Sequence, residues 1–189
     1  MYFYLLLIAS YLLGAIPFGK IVGYIKGIDV QKHGSGNIGF ANSLRVLGWG
    51  PALFVLLGDI LKGYIPVYFA LHDFSLIRAL IIGAIAILGH ITSPWLKFKG
   101  GKGVATMLGV SLALNLTIAF IAMVVWMVIF LSKRISSISS LIVVILMPIL
   151  ALLFEPKLTI FYLCLVPLIF ITHRRNLVSL VKGKEAKII

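Results

Sequence analysis

The chain has 189 residues, 61% of them hydrophobic, and a mean hydropathy of +1.15. Seventeen Lys and Arg stand against five Asp and Glu, for a net charge of +12. Such apolar content does not describe a soluble domain. The bases lie between apolar stretches, so they speak for membrane orientation and anionic substrates rather than for nucleic acid. The single cysteine, Cys164, lies in an apolar run, which excludes an intrachain disulfide and a cysteine metal cluster.

A helix needs about 20 apolar residues to cross a bilayer. Tyr2 to Gly19 supplies the first span; without a basic n-region or an evident cleavage site it reads as a retained helix, not a signal peptide. Residues 20 to 45 are too polar and glycine-rich to cross. Val46 to Leu71 is the second span, and it carries Asp59 and Lys62 three residues apart, on one helix face. Charges inside a span are costly and face a partner or a polar cavity, so an internal pair is expected there. Ser75 to Thr92 is the third span, with His90 at its end.

Lys99-Gly100-Gly101-Lys102-Gly103-Val104-Ala105-Thr106 follows. Glycine lets the backbone come close to a ligand, successive N–H groups can form an anion-binding nest, and a helix starting at Val104 would add its dipole. Two ammonium groups complete an electropositive pocket. The spacing is not that of the Walker loop. The reading is a phosphate site at a membrane edge.

Val104 to Leu131 is apolar for 28 residues, about 42 Å as one helix, long for one crossing and short for two. The positive-inside rule decides. A single crossing would put Lys133, Arg134 and the basic tail opposite Lys97, Lys99 and Lys102. A turn near Asn115, with a short helix before it and a full one after, puts every basic cluster on one side and leaves Arg78 and Lys157 on the other. Leu141 to Phe154 and Leu158 to Thr172 complete the set. The expected fold is an all-α integral membrane protein of about seven transmembrane helices in one polytopic domain, 1–189. Its N-terminus is outside, its C-terminus cytoplasmic, and one short helix follows the glycine-rich loop.

Four polar segments then share the cytoplasmic side: Gly34-Ser-Gly-Asn-Ile-Gly-Phe-Ala-Asn-Ser-Leu-Arg45; His90 with the glycine-lysine loop; Lys133-Arg-Ile-Ser-Ser-Ile-Ser-Ser140; and His173-Arg-Arg-Asn176 continuing to Glu185. Their common chemistry is anion binding, through Arg and Lys heads, backbone N–H groups, hydroxyls and an amide.

These segments resemble the bacterial acyl-phosphate-dependent glycerol-3-phosphate acyltransferases, the PlsY family. GSGNIGFANSLR is similar to the family motif GSGNxGxTNxLR, with Ala41 where Thr is common. FKGGKGVAT matches the glycine-rich motif, with His90 ahead of it. HRRNLVSLVKGKE resembles HRxNIxRLxxGxE, with Leu177 for Ile and Ser179 for the usual Arg. GDILKG at Gly58 to Gly63 and the serines after Arg134 are similar too, so the match runs nearly end to end.

The resemblance implies transfer of a fatty acyl group from acyl phosphate to the 1-hydroxyl of glycerol 3-phosphate, giving 1-acyl-glycerol 3-phosphate (lysophosphatidate) and phosphate. This is the first step of phospholipid synthesis, downstream of a soluble acyl-phosphate-forming enzyme, in a bacterial inner membrane with the active site on the cytoplasmic face. Both substrates carry phosphate, and an acyl phosphate is a mixed anhydride with a good leaving group, so positioning and charge stabilisation suffice.

The N–H groups of Gly100, Gly101 and Gly103 and the ammonium of Lys102, with Lys99 beside it, are expected to meet the developing charge. Gly34, Ser35, Gly36, Asn37, Arg45, Arg174 and the His173–Asn176 segment would hold glycerol phosphate, and Asn37 with Ser137 or Ser140 would orient hydroxyls. Glu185 is expected to hold Lys or Arg side chains. For the general base, His90 and His173 qualify by type, and the substrate phosphate itself is the alternative.

No His is followed by Asp at the HxxxxD spacing of acyl-CoA-dependent enzymes, no serine sits in GxSxG, and no cluster has metal spacing, so neither metal nor cofactor is expected. Partners are the two substrates and membrane lipid, not nucleic acid, and a monomer is expected. A phosphometabolite transporter would need polar groups on both sides and a pseudo-repeat, and neither is visible.

Overall fold

The computed structural model describes residues 1–188. Among these, ten α-helices and two short 3₁₀ turns account for all regular structure. The chain divides into two compact units, Met1–Leu114 and residues 115 onward.

The first unit contains α1 (Tyr2–Ala15), α2 (Phe18–Ile25), α3 (Phe40–Leu47), α4 (Trp49–Asp73), α5 (Leu76–Ile91) and α6 (Val104–Leu114). The expected first span breaks earlier than Gly19, at Ala15. Pro17 cannot donate an N–H and pushes the residue before it out of the helical region, and Ile16 sits at φ −57°, ψ 119°. The chain resumes in α2 after a bend of 43°. Residues 20–45 also hold helix: most of α2, and α3, which ends at Gly48 with φ +82°.

Helix α1 packs on α5, fastened by Ser10 Oγ donating to the Ile82 carbonyl at 2.8 Å and Ser93 Oγ to that of Ala15 at 2.6 Å. Helices α4 and α6 approach backbone to backbone. A Cβ at Gly109 would overlap the Ile60 carbonyl, and one at Gly63 the Thr106 carbonyl. Lipid tails are as apolar as leucine, so small residues that admit close approach are what hold such helices together.

The second unit contains α7 (Leu116–Lys133), α8 (Ser136–Phe154), α9 (Thr159–Thr172) and α10 (Arg174–Val181). Asn115 lies in extended backbone and caps α7, its side chain accepting from the Ile118 N–H at 3.0 Å, so the long apolar stretch is interrupted where the charge pattern requires. The serine stretch is not a loop: it is the first turn of α8. Trp126 on α7 donates its indole N–H to Ser140 Oγ on α8 at 3.1 Å. The tail folds back, with the Ile188 N–H on the Arg134 carbonyl at 2.7 Å.

Trp49–Asp73, Leu76–Leu96, Leu116–Lys133 and Ser136–Phe154 are each long and apolar enough to cross a membrane, and two bent pairs raise the number to six. Phe54, Ile77, Val128 and Ile160 are exposed on these helices. Large apolar side chains presented in such numbers are immersed in lipid, not water.

Candidate phosphate-binding site

The segment Gly34–Arg45 is built around one amide. Asn42, in the first turn of α3 and 2% exposed, shares its two Nδ2 hydrogens among the carbonyls of Val30, His33 and Asn37, at 3.0, 3.1 and 2.9 Å. Its Oδ1 accepts the Ser35 N–H at 2.8 Å and lies 3.5 Å from Arg45 Nη1. Asn37 Oδ1 closes the turn by accepting the Gly39 N–H at 2.8 Å. Gly34 and Gly36 take φ +61° and +71°, where a Cβ is strained. Ser35 is exposed and Arg45 half-buried at the lip of this turn. Sequence reasoning did not single out Asn42. Its signal was an Asn near a helix start after glycines, where side-chain-to-backbone bonding is favoured.

The glycine-lysine loop is built differently. Lys97 and Phe98 both take left-handed φ, 53° and 61°, turning the chain back on α5. The N–H groups of Gly100 and Gly101 then donate to the carbonyls of Ile91 and His90, each at 3.0 Å. This corrects the expectation that both N–H groups meet substrate: they satisfy orphan carbonyls at the C-terminus of α5. Gly103, at φ +88°, caps α6, its carbonyl accepting from Met107 N–H at 2.7 Å. The first-turn N–H groups of α6, from Val104 on, have no intrahelical acceptor. They sit at the positive end of an 11-residue helix, with Lys99 and Lys102 just ahead of it in the chain.

Beneath the loop lies a buried network. Asp59 Oδ1 is 2.7 Å from Lys62 Nζ and 3.5 Å from His90 Nδ1. The three residues are 1%, 4% and 3% exposed. Lys62 Nζ also donates to the Ile16 carbonyl at 2.8 Å, tying α4 to the break after α1. Gly101 rests on the imidazole: a Cβ there would overlap His90 Nε2. His90, expected as a candidate base, is thus sealed between a carboxylate and the loop backbone.

The two segments meet within this unit. Val30 and Ile38, flanking the first turn, form one buried cluster with Leu96, which leads into the loop.

In the second unit, Glu185 Oε1 accepts from Ser137 Oγ at 2.8 Å and from Asn176 Nδ2. Its partners are therefore a hydroxyl and an amide in place of the basic side chains expected. His173 is 1% exposed, and its Nδ1–H donates to the Ile169 carbonyl at 2.9 Å. That bond fixes the tautomer in which Nε2 of the neutral ring is the acceptor. Ser140 lies against Trp126 and not with Ser137 and Glu185, and Arg174 is exposed.

The fold and these turns define a multi-span helical membrane protein with glycine-rich, basic segments at helix ends. Residues 4–183 match the family described as glycerol-3-phosphate acyltransferase. Relatives carrying that name include one from Wolbachia pipientis wMel, 41% identical over 97% of both chains, and one from Mesorhizobium japonicum, 42% identical over 97% of this chain and 95% of the relative. The crystal structure of PlsY, an integral membrane glycerol 3-phosphate acyltransferase, in its glycerol 3-phosphate form superposes with a TM-score of 0.95 at 34% identity, covering 100% of this chain and 96% of that one. Its lysophosphatidic acid form gives 0.93. The chain belongs to the glycerol-3-phosphate acyltransferase family.

Proposed function

We propose that this protein transfers a fatty acyl group from acyl phosphate to the 1-hydroxyl of glycerol 3-phosphate. The hydroxyl oxygen bonds to the acyl carbon, the anhydride C–O bond breaks, phosphate leaves, and the hydroxyl proton ends on phosphate. The products are lysophosphatidate and inorganic phosphate. Names of the relatives give the acceptor; the acyl-phosphate donor is this reading's own step.

The supporting observation is the Val30–Ile38–Leu96 cluster. It brings a turn offering Ser35, Asn37 and Arg45 against the turn that opens the glycine-lysine loop, so two anion-binding segments share one end of the first unit. A reaction between two phosphate-bearing substrates needs such groups, and a mixed anhydride needs little beyond positioning and charge stabilisation. Lys102, the α6 N-terminus and Lys99 take the departing phosphate and the carbonyl oxyanion. Ser35 and Arg45 take glycerol phosphate. Within the second unit, Arg174 offers a cation and Asn176 its remaining Nδ2–H to an anion, while the Ser137 hydroxyl is spent on Glu185.

The proposed topology counts α1, α4, α5, α6, α7, α8 and α9 as seven membrane helices of one polytopic domain. The N-terminus is outside and the basic loops lie at the cytoplasmic face of a bacterial inner membrane. The protein acts as a monomer, supplied by a soluble enzyme that forms acyl phosphate.

The test is a donor comparison. Purified protein receives glycerol 3-phosphate with palmitoyl phosphate or with palmitoyl-CoA, and lysophosphatidate and phosphate are measured. Product from palmitoyl phosphate alone, one phosphate released per lysophosphatidate, is expected. Product from palmitoyl-CoA without phosphate release overturns the donor assignment.

A further inference from the structure

The buried groups under the glycine loop have no part in the reaction as written, yet they are among the most enclosed ionisable side chains of the first unit. Lys62 Nζ joins Asp59 Oδ1 and the Ile16 carbonyl, and Asp59 faces His90. Above them, His90 touches the loop twice: its carbonyl accepts the Gly101 N–H, and its ring underlies the Gly101 Cα. The imidazole, carried on α5, thus meets α4 at Asp59 and the loop at Gly101, and Lys62 ties that part of α4 to the break after α1. Gly101 itself has an ordinary backbone conformation, so what forbids a side chain there is the ring and not φ.

We infer that His90 is a positioning residue, a packed post on which Gly101 rests. The Asp59–Lys62 pair holds it from below, and it sets where Lys102 and the N-terminus of α6 stand. This rests on the reading of the loop as the phosphate site, and deepens it. Only Lys102 and the cap Gly103 separate the seat at Gly101 from the first residue of α6. A displacement at Gly101 therefore moves Lys102 at once and reaches the α6 N–H groups through a single cap residue, whose φ of +88° the cap geometry holds. In transition-state terms a misplacement of about 1 Å is enough to lose about 100-fold in rate. An imidazole with its Nδ1 toward a carboxylate and its Nε2 under backbone has no path to a substrate hydroxyl, so the post is not the base.

The experiment compares wild type with Gly101→Ala, His90→Ala, the double variant and His90→Gln. Kinetics use palmitoyl phosphate and glycerol 3-phosphate, and detergent melting curves report folding. Gly101→Ala is expected to lose about 100-fold in kcat/KM by pushing the loop off its seat. The double variant, with the ring gone, is expected to recover at least about tenfold over Gly101→Ala, because contacting residues couple. His90→Gln, which refills the space up to Nε2, is expected within about fivefold of wild type with an unaltered pH–rate profile.

A double variant no better than the product of the singles overturns the seat. A His90→Gln enzyme that folds, loses about 100-fold or more in kcat at unchanged KM and loses one limb of its pH profile makes His90 the base instead. The wild-type rate is the separate check on the acyl-phosphate reading. If it is nil, the same five proteins titrated with inorganic phosphate, the probe for the loop, report the coupling by calorimetry as a ratio of Kd values.

Discussion

The turn at 34–45 and the loop at 97–103 offer the same chemistry by opposite means. In the first, side-chain amides do the folding: Asn42 reaches three carbonyls and one N–H, Asn37 holds the Gly39 N–H, and glycines supply the bends. In the second, the backbone folds on itself, through Gly100 and Gly101 to the end of α5, and a buried imidazole supports it. A side-chain-built turn fails when one amide is lost. A backbone-built loop tolerates changes in its side chains' packing but not a Cβ where two backbones or a ring meet.

Substitutions sharpen this contrast, beginning with the largest effect. Lys102→Ala removes the cation proposed to meet the departing phosphate; phosphate release is expected to fall by about 1,000-fold in protein that still melts cooperatively. Gly103→Ala forces φ +88° on a residue with a Cβ, and about 100-fold of the turnover is expected to go with the cap. Asn42→Ala leaves the Ser35 N–H and three carbonyls without their partner. Only the Val30 carbonyl among them is buried, an unmet group costing about 1–3 kcal/mol, and the turn that presents Ser35 and Arg45 loosens with it; the KM for glycerol 3-phosphate is expected to rise about tenfold, and a KM within about twofold of wild type would break the comparison.

Asp59→Leu strands the Lys62 charge inside α4 and is expected to cost about 3–5 kcal/mol of stability. Asp59→Leu with Lys62→Leu removes both charges and is expected to regain most of the loss in melting temperature. Ser140→Ala is the smallest change. The hydroxyl serves the Trp126 indole, so kcat/KM is expected to stay within about threefold.

Much of this was legible in the chain. Apolar lengths gave the helices, the distribution of bases demanded a break near Asn115, and that residue caps α7. Pro17 announced the end of α1, though a window of apolar residues ran past it. The serines before Leu141 read as a polar loop, yet Ser is equally at home in a first helical turn, and α8 begins there. What could not be read was direction. Nothing in KGGKG says that two of its N–H groups turn inward to α5, because that follows from left-handed Lys97 and Phe98, residues with no local signal for it. Burial was equally hidden. His90 has the chemistry of a base, and only the packing of Gly101 over its ring shows what encloses it.

The most direct test of the site is glycerol 3-phosphate bound to this chain in a crystal or cryo-EM map. The account predicts its phosphate within hydrogen-bond distance of Arg45 or Ser35, on the side of the first turn that faces the glycine-lysine loop. Arg78, stacked 5.3 Å over Phe3 at the other end of α5 from that loop, is the contrasting cation. A phosphate seated there, with the loop and Arg45 untouched, would contradict it.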